Sequence, residues 1–410
     1  MSRTVVFKSA DQRLGLLARA VLRARMMQRS LVVGAVAVVM ALGFALVGLV
    51  PTASAITTNA KQAVVVDAET GRILFQKQAR QQMAPSSMTK VMTAYVLFNA
   101  LRAGQLSMDT TYTVSQKAKD RLGSTMWLKK GQKVTVQELL NGLIVVSGND
   151  AAITLAEGFA GTEENFATLM NATAVAIGMV DSNFVNASGW PDEGHVSTAW
   201  DLALLGQRLI SDHPDFYSYF SRQSYTFNDI YQLNRNPLLD DDSLEVDGIK
   251  TGQTNAGGFG VMISAVQGDR RVIVVINGAV SKAERKKQAA QLTEYALRAF
   301  GNYSLFKAGQ VIGHAPVWLG QQDTVPLVAK YSLRMTLMRH TYENLRAQVT
   351  YRSPVPAPVQ AGDELGSVIL SGPGIDPEEI PVLAGATVDS VGRLERVSTG
   401  IRYIIFGLSQ

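Results

Sequence analysis

The chain has 410 residues, of which 47% are hydrophobic and 18% are charged, an ordinary balance for a globular protein of two or three domains. The absence of cysteine excludes disulfides, thiolate nucleophiles, zinc ribbons and iron–sulfur clusters, and four scattered histidines predict neither a metal site nor a Ser-His-Asp triad. The net charge of +5 comes from residues 1–55, because the rest of the chain has 32 basic and 33 acidic groups. We therefore expect no nucleic-acid partner.

A leader is the first predicted element. Residues 31–50 form an uninterrupted apolar run that follows an arginine-rich segment and precedes Pro51, Ala53 and Ala55. This pattern predicts a signal peptide over residues 1–55 with cleavage after Ala55. The same run is long enough to span a bilayer as an uncleaved anchor. Both interpretations place the rest of the chain in the periplasm or at the outer face of the cytoplasmic membrane.

Residues 56–300 predict a first folded domain in which strand and helix patterns alternate. Two hairpins are expected where β-branched runs flank turns that contain glycine, at residues 64–75 and 259–277. Thr135 and Glu138 have the spacing of a capping box that begins a helix. Further helices are predicted over residues 88–101, 149–156, 163–177, 198–210 and 283–300.

The composition changes near residue 301. From there to residue 386, short Val and Leu runs alternate with turn residues, which predicts a small all-β domain. In residues 387–410 apolar side chains recur at helical spacing, with Arg393, Arg396 and Arg402 among them. This segment predicts an amphipathic helix that either lies on a membrane surface or packs on the β domain.

Three short motifs are candidates for chemistry. Ser87 and Lys90 are three positions apart near a predicted helix start, where an amine reaches a hydroxyl and free N–H groups can stabilise an oxyanion. Ser147 and Asn149 lie between two predicted helices, and Lys250 begins a Lys-Thr-Gly run at the head of a strand. Each motif alone also fits a helix cap or an ordinary turn.

The order of these motifs is more specific than any one of them. Ser-x-x-Lys comes first, Ser-x-Asn 60 residues later and Lys-Thr-Gly about 100 residues beyond, which resembles the penicillin-recognising serine acyl-enzyme superfamily. Several segments are similar to the low-molecular-mass D-alanyl-D-alanine carboxypeptidases: residues 84–90, 143–152, 184–186, 191–195, 232–236 and 246–252.

The resemblance extends from about residue 63 to residue 300 and continues more loosely towards the C-terminus. It implies the α/β (α+β) fold class, with a β-lactamase/transpeptidase-like catalytic domain over residues 56–300. The catalytic domain would be followed by a small all-β C-terminal domain over residues 301–386 and by a terminal amphipathic helix over residues 387–410.

The resemblance also implies the catalytic roles. Ser87 would be the nucleophile that forms an acyl-ester, and Lys90 would accept its proton, which requires a neutral amine. We expect burial and the nearby charge of Lys250 to lower the pKa of Lys90. Ser147 would relay the proton to the leaving amine.

The remaining implied residues bind the substrate. Lys250 and Thr251 would hold the terminal carboxylate, and Asn149 would orient the substrate's amide. The backbone N–H groups of Ser87 and Gln253 would form an oxyanion hole. Gln253 stands where the family often has histidine, which leaves the substrate preference open.

The implied reaction is removal of the terminal D-Ala from peptidoglycan stem pentapeptides through an acyl-enzyme at Ser87. It needs no metal and no organic cofactor. The peptide would pair with the open edge of the strand that enters the glycine-rich segment 252–260. β-Lactam antibiotics are the expected covalent inhibitors of the same hydroxyl, and the C-terminal helix is a possible peripheral membrane contact.

Three alternatives remain. A serine β-lactamase shares the acylation chemistry, but Gly148 stands where class A enzymes usually have Asp, which favours the carboxypeptidase. A D,D-endopeptidase that cleaves cross-linked peptides is not distinguished by the sequence. A catalytically silent cell-wall-binding module is disfavoured, because it would not need the complete set of motif side chains.

Overall fold

The computed structural model describes residues 2–8, 56–393 and 396–397. The rest of the predicted leader and most of the predicted terminal helix lie outside the described residues. The strands are β1 (Ser2–Lys8), β2 (Gln62–Asp67), β3 (Ile73–Lys77), β4 (Thr111–Thr113), β5 (Lys133–Thr135), β6 (Ser224–Phe227), β7 (Ile230–Leu233), β8 (Glu245–Thr254), β9 (Gly258–Gln267), β10 (Arg270–Ala279), β11 (Phe300–Phe306), β12 (Val311–Trp318), β13 (Thr324–Ala329), β14 (Leu333–Met338), β15 (Arg346–Arg352), β16 (Val355–Pro356), β17 (Glu364–Gly372) and β18 (Ile375–Ala384).

The helices lie mainly in the first domain. They are α1 (Lys90–Arg102), α2 (Gln116–Asp120), α3 (Val136–Asn141), α4 (Asn149–Ala160), α5 (Glu163–Ile177), α6 (Ala199–Asp212), α7 (Pro214–Tyr217), α8 (Lys282–Ala299) and α9 (Arg339–Glu343). Turns of 3₁₀ helix cover Ser86–Thr89 and Ser218–Ser221, and Gly142–Val146 is π-helical. Within the described residues, none of these helices combines the length and apolarity needed to cross a bilayer.

The first domain is built on a five-stranded antiparallel sheet in the order β3-β2-β10-β9-β8. Successive side chains of a strand point to opposite faces. In β10, Ile273 and Val275 therefore join one core cluster, while Val272 and Val274 join the other. Helix α6 packs in the first cluster and α8 in the second, so the sheet lies between helical layers. The predicted α/β (α+β) class is confirmed.

Local patterns predicted the two hairpins and the longer helices of the first domain, but not the short helices α2 and α7 or the strands β4 to β7. A further difference lies at the Ser-x-x-Lys motif. The capping box of Thr135 and Glu138 is present at the start of α3. The helix expected from residue 88 begins at Lys90, after a 3₁₀ turn in which Ser86 has a φ of 51°. The residues at the two helix starts are Pro85 and Thr89, and neither makes a side-chain cap, so the alternative that Ser87 of this motif is a helix cap is wrong. Positions three apart are eclipsed in a 3₁₀ turn, which keeps Ser87 and Lys90 on one face.

The C-terminal domain has separate sheets and a separate core. Its seven-stranded sheet has the order β1-β15-β17-β18-β13-β12-β16, and β11 pairs with β14. Leu327, Val349, Val368 and Val382 belong to its core cluster. The all-β prediction is confirmed apart from α9, whose five residues are too few to show a helical period in the sequence. Strand β1 lies within the predicted leader, so cleavage after Ala55 would remove it.

The two domains meet at a buried ion pair. The carboxylate of Asp67 is fully buried and lies 3.3 Å from the guanidinium of Arg270. Asn302, on the first strand of the C-terminal domain, donates a hydrogen bond of 3.1 Å to the same carboxylate. The hydroxyls of Thr70 and Thr336 are 2.6 Å apart and add a second link between the domains.

Candidate active site

The Ser87 turn brings a buried amine to the serine hydroxyl. Lys90 is only 1% exposed, and its Nζ lies 3.0 Å from Ser87 Oγ. The same Nζ donates to Asn149 Oδ1 at 2.8 Å and to the carbonyl oxygen of Ser188 at 2.6 Å. A neutral amine has two N–H groups and one lone pair. If two fixed acceptors take the N–H groups, the lone pair is free to accept the proton of Ser87.

Burial is the main influence on this amine. It lowers the pKa of Lys90 to about 7, while the charges of Asp150 and Glu163 act in the opposite direction. This direction agrees with the predicted decrease in pKa. The charges of Lys90 and Lys250 oppose each other, and this effect lowers the pKa of Lys250. The predicted contribution of Lys250 to the pKa of Lys90 stays a prediction. The neutral form of Lys90 is appreciably populated near pH 7 because water is excluded from it.

Lys250 is the second buried amine of the site. It is 2% exposed on β8, and its Nζ lies 3.5 Å from the carbonyl oxygen of Thr251. Burial and the positive charges of Lys90, Arg285 and Arg235 hold the pKa of Lys250 well below its ordinary value. No ion pair joins Lys250 to a carboxylate within residues 56–393, so this end of the site favours an anion.

Arg285 is a site residue that sequence reasoning missed. Its side chain is 6% exposed, and its Nε has no hydrogen-bond partner among the described residues. Burial lowers the pKa of Arg285 to about 10. The residue lies in the first turns of α8, where the sequence shows an ordinary charged helix. Its burial depends on contacts with distant segments and gives no local signal.

Ser147 ends the π-helical segment in a left-handed conformation with a φ of 66°. Its side chain is 3% exposed and faces the same cavity as Ser87. The hydroxyl makes no hydrogen bond to another residue in the described part of the chain. No hydrogen bond connects Ser147 to Lys90 or Lys250 in the described part of the chain, and the relay role of Ser147 stays a prediction.

Asn149 begins α4 and is held by a neighbouring loop. Its Oδ1 accepts from Lys90, and its Nδ2 donates to the carbonyl oxygen of Leu122 at 2.7 Å. Its backbone N–H donates to the carbonyl oxygen of Ser124. The side chain therefore orients the amine of Lys90 in addition to facing the cavity.

Strand β8 lies at the edge of its sheet and carries Gln253 to the cavity. Ser86 Oγ and Thr254 Oγ1 are 2.9 Å apart, which joins the end of β8 to the Ser87 turn. A Cβ atom at Gly252 would lie 2.9 Å from the carbonyl oxygen of Pro85, so strand and turn are in close contact. The predicted oxyanion-hole residues thus lie on two adjoining segments.

A loop that the motifs did not include supports the catalytic turn from the other side. Asn186 Oδ1 accepts hydrogen bonds from the backbone N–H groups of Ser188, Gly189 and Trp190. Gly189 has a φ of 77°, and a Cβ atom there would lie 1.8 Å from the carbonyl oxygen of Ser86. This contact aims the carbonyl of Ser188 at Lys90. The resemblance had marked residues 184–186, but no sequence pattern gave Ser188 a role.

His195 supports the same turn. Its Nδ1 accepts the backbone N–H of Val185 at 3.0 Å, so its Nε2 carries the proton that is donated to Thr89 Oγ1 at 2.8 Å. Burial lowers the pKa of His195 to about 4. The imidazole is therefore neutral at pH 7 and acts as a fixed hydrogen-bonding support.

One cavity of about 1250 Å³ brings the predicted residues together. Its lining includes Ser87, Ser147, Asn149, Thr251 and Gln253. Lys90 and Lys250 are buried behind this surface. A second cavity of about 750 Å³ lies in the C-terminal domain and contains none of the predicted site residues.

Comparison with known families identifies the protein family to which this active site belongs. Residues 50–281 match the model of the D-alanyl-D-alanine carboxypeptidase family, and residues 300–390 match the C-terminal domain of penicillin-binding protein 5. The chain belongs to the D-alanyl-D-alanine carboxypeptidase family. The predicted resemblance and the predicted enzyme class are confirmed, and this carboxypeptidase is a serine-type hydrolase.

Individual relatives agree with this assignment. The carboxypeptidase is 36% identical to D-alanyl-D-alanine carboxypeptidase DacD of Salmonella typhimurium over 75% of this chain and 80% of the relative. The crystal structure of DacD from Francisella tularensis is similar with a TM-score of 0.74 and 30% identity, over 82% of this chain and 95% of that one. Penicillin-binding protein D2 of Listeria monocytogenes in its ampicillin-bound form matches with a TM-score of 0.54 and 31% identity, over 58% and 97% of the two chains.

Proposed function

We propose that this carboxypeptidase removes the last D-Ala of peptidoglycan stem pentapeptides through an ester at Ser87. The observation that supports this most directly is the 3.0 Å contact between Ser87 Oγ and Lys90 Nζ. Burial keeps the pKa of Lys90 at about 7, so the amine can act as a base in neutral solution. A serine with no such neighbour would be a poor nucleophile at this pH.

Acylation follows from these positions. The Ser87 hydroxyl gives its proton to neutral Lys90 while its oxygen bonds to the carbonyl carbon of the penultimate D-Ala. The N–H groups of Ser87 and Gln253 stabilise the oxyanion. The C–N bond then breaks, and the proton passes from Lys90 through Ser147 to the leaving amine. Water hydrolyses the ester and restores Ser87.

Two buried basic side chains, Lys250 and Arg285, account for the preference for a substrate with a free carboxyl end. Lys250 and Arg285 are both almost fully buried and lack a carboxylate partner among the described residues, and Thr251 adds a hydroxyl beside them. A terminal carboxylate in this position would favour the protonated form of Lys250. The resulting charge would in turn favour the neutral form of Lys90, so substrate binding would prepare the base.

The test is mass spectrometry after incubation with penicillin, together with D-Ala release from a stem pentapeptide. The wild-type enzyme should gain the mass of one penicillin and release D-Ala, whereas Ser87→Ala should do neither. Ser211→Ala, which changes an exposed serine on α6, is the matched control and should behave as wild type. An adduct on Ser87→Ala, or none on the wild type, would remove Ser87 as the nucleophile. Rapid penicillin turnover would favour the β-lactamase alternative.

We also propose that the protein is exported and contacts the outer face of the cytoplasmic membrane. The apolar run at residues 31–50 and the basic residues before it support export, and the arginines among apolar residues in 387–410 support membrane contact. N-terminal sequencing of the purified protein tests cleavage after Ala55. Deletion of residues 387–410 should move the protein from the membrane to the soluble fraction; a full-length protein that is already soluble would contradict the contact.

A further inference from the structure

A tryptophan at the mouth of the active-site cavity is exposed to solvent. Trp127 is 59% exposed and lines the cavity that contains Ser87. Its neighbours Met126 and Leu128 are buried, which fixes the chain on both sides of it. Its φ of 63° lies in the left-handed region, which bulky residues rarely adopt. Such conformations persist where the surroundings enforce them and are most common at functional sites.

Asp150 is the group that enforces this conformation. Its carboxylate, on the first turn of α4, accepts the backbone N–H of Met126 at 3.0 Å and that of Leu128 at 3.1 Å. The N–H of Trp127 itself donates to Thr125 Oγ1 at 3.0 Å. The backbone segment that carries the indole is therefore fixed by the same helix that carries Asn149. The exposed indole on this segment forms a platform that lines the cavity.

Polar side chains line the same cavity as this platform. Gln232 Nε2 donates to the carbonyl oxygen of Thr125 at 3.1 Å, which brings the β7 strand against the Trp127 loop. Ser124, Gln232 and Asn234 line the cavity on this side. An indole face bordered by hydroxyl and amide groups suits a pyranose ring. The C–H face of the sugar packs on the indole, while its hydroxyl and acetamido groups form hydrogen bonds with the border.

We propose that Trp127 binds a sugar of the glycan strand to which the stem peptide is attached. This inference depends on the proposed function, since it names a further part of the same substrate. Four stem residues separate the sugar from the cleaved bond, and they span about 13 Å when extended. The cavity of about 1250 Å³ is much larger than the last two residues need. Since Trp127 lines the same cavity as Ser87, a stem peptide bound in this cavity can bring its sugar to the indole.

The test compares a free stem pentapeptide with the same peptide attached to the N-acetylglucosaminyl-N-acetylmuramyl disaccharide. For each substrate, kcat/KM is measured for the wild type, Trp127→Ala and Trp127→Phe. Loss of one stacked sugar predicts that Trp127→Ala lowers kcat/KM for the disaccharide substrate about tenfold more than for the free peptide. Trp127→Phe keeps an aromatic face and should recover most of this difference.

Tyr331→Ala is the matched control, because Tyr331 is an exposed aromatic residue of the C-terminal domain. It should leave the ratio of the two kcat/KM values unchanged. An equal loss on both substrates in Trp127→Ala would assign Trp127 to the peptide or to folding and would overturn the proposal. If the wild type cleaves neither substrate, the proposed function fails, and calorimetry with the disaccharide-tetrapeptide decides the inference. Weaker binding by Trp127→Ala alone supports it, and equal binding overturns it.

Discussion

The amine of Lys90 shows how a single residue becomes a base. Its removal from water lowers the pKa to about 7, although two nearby carboxylates oppose this change. Asn149 and the carbonyl of Ser188 fix the direction of the amine. A lysine in the same place but open to water would stay protonated at pH 7 and could not accept the Ser87 proton.

This environment predicts the pH dependence of acylation. The rate constant for penicillin acylation should rise about tenfold per pH unit below pH 7 and level off above it, because only the neutral amine accepts the proton. Glu163→Gln removes a charge that raises the pKa of Lys90, so the midpoint should move to lower pH. Glu164→Gln changes the neighbouring exposed carboxylate and should leave the midpoint in place. Stopped-flow measurements from pH 5 to 9 check both, and a midpoint that moves upward in Glu163→Gln would contradict the assignment.

Among the elements, the contact between the 186–190 loop and the Ser86–Thr89 turn sets the geometry of the site. Gly189 makes this contact possible, because its φ of 77° and its missing side chain let the loop reach the backbone of Ser86. The carbonyl that orients Lys90 belongs to the preceding residue. Any displacement of the loop therefore changes the position of the base.

Gly189→Ala should abolish this arrangement. The added Cβ would lie 1.8 Å from the carbonyl oxygen of Ser86, so we expect at least a tenfold lower acylation rate and a loss of about 2–4 kcal/mol in the free energy of unfolding. Gly194→Ala is the matched control. Gly194 has the same φ of 77°, but a Cβ there meets its nearest atom at 3.7 Å. The Gly194→Ala variant should lose only about 1 kcal/mol in the free energy of unfolding and should keep its acylation rate. Equal acylation by the two variants would contradict the role of the contact.

These elements also show what the sequence alone predicts. The helix predicted near residues 163–177 is confirmed with those ends, and the structure shows Thr162 as its cap and Gly178 as its left-handed stop. The 3₁₀ turn at Ser87 was not predicted, because a spacing of three residues fits both an α-helix and a 3₁₀ helix. Ser188 and Arg285 could not be found, because their environments are made by segments that are distant in the sequence.

For the whole molecule, the ion pair between Asp67 and Arg270 joins the sheet to the C-terminal domain. Arg270 also donates to the carbonyl oxygens of Ala296, Leu297 and Phe300, where α8 ends and β11 begins. The pair thus connects the strands β2 and β10, the end of a helix and the start of the second domain. Each domain has its own apolar core, although Met338 of β14 packs against a core cluster of the first domain. The polar junction adds a specific link between the two domains.

Asp67→Ala should therefore destabilise the protein more than its small change in volume suggests. It leaves the guanidinium of Arg270 buried without its partner, which costs about 3–5 kcal/mol. Glu294→Ala removes one partner of the exposed i,i+4 pair Glu294–Arg298 and should cost less than about 1 kcal/mol. Urea unfolding followed by circular dichroism gives both values. A free energy of unfolding that is equally reduced in the two variants would mean that the buried pair has no special part in holding the domains together.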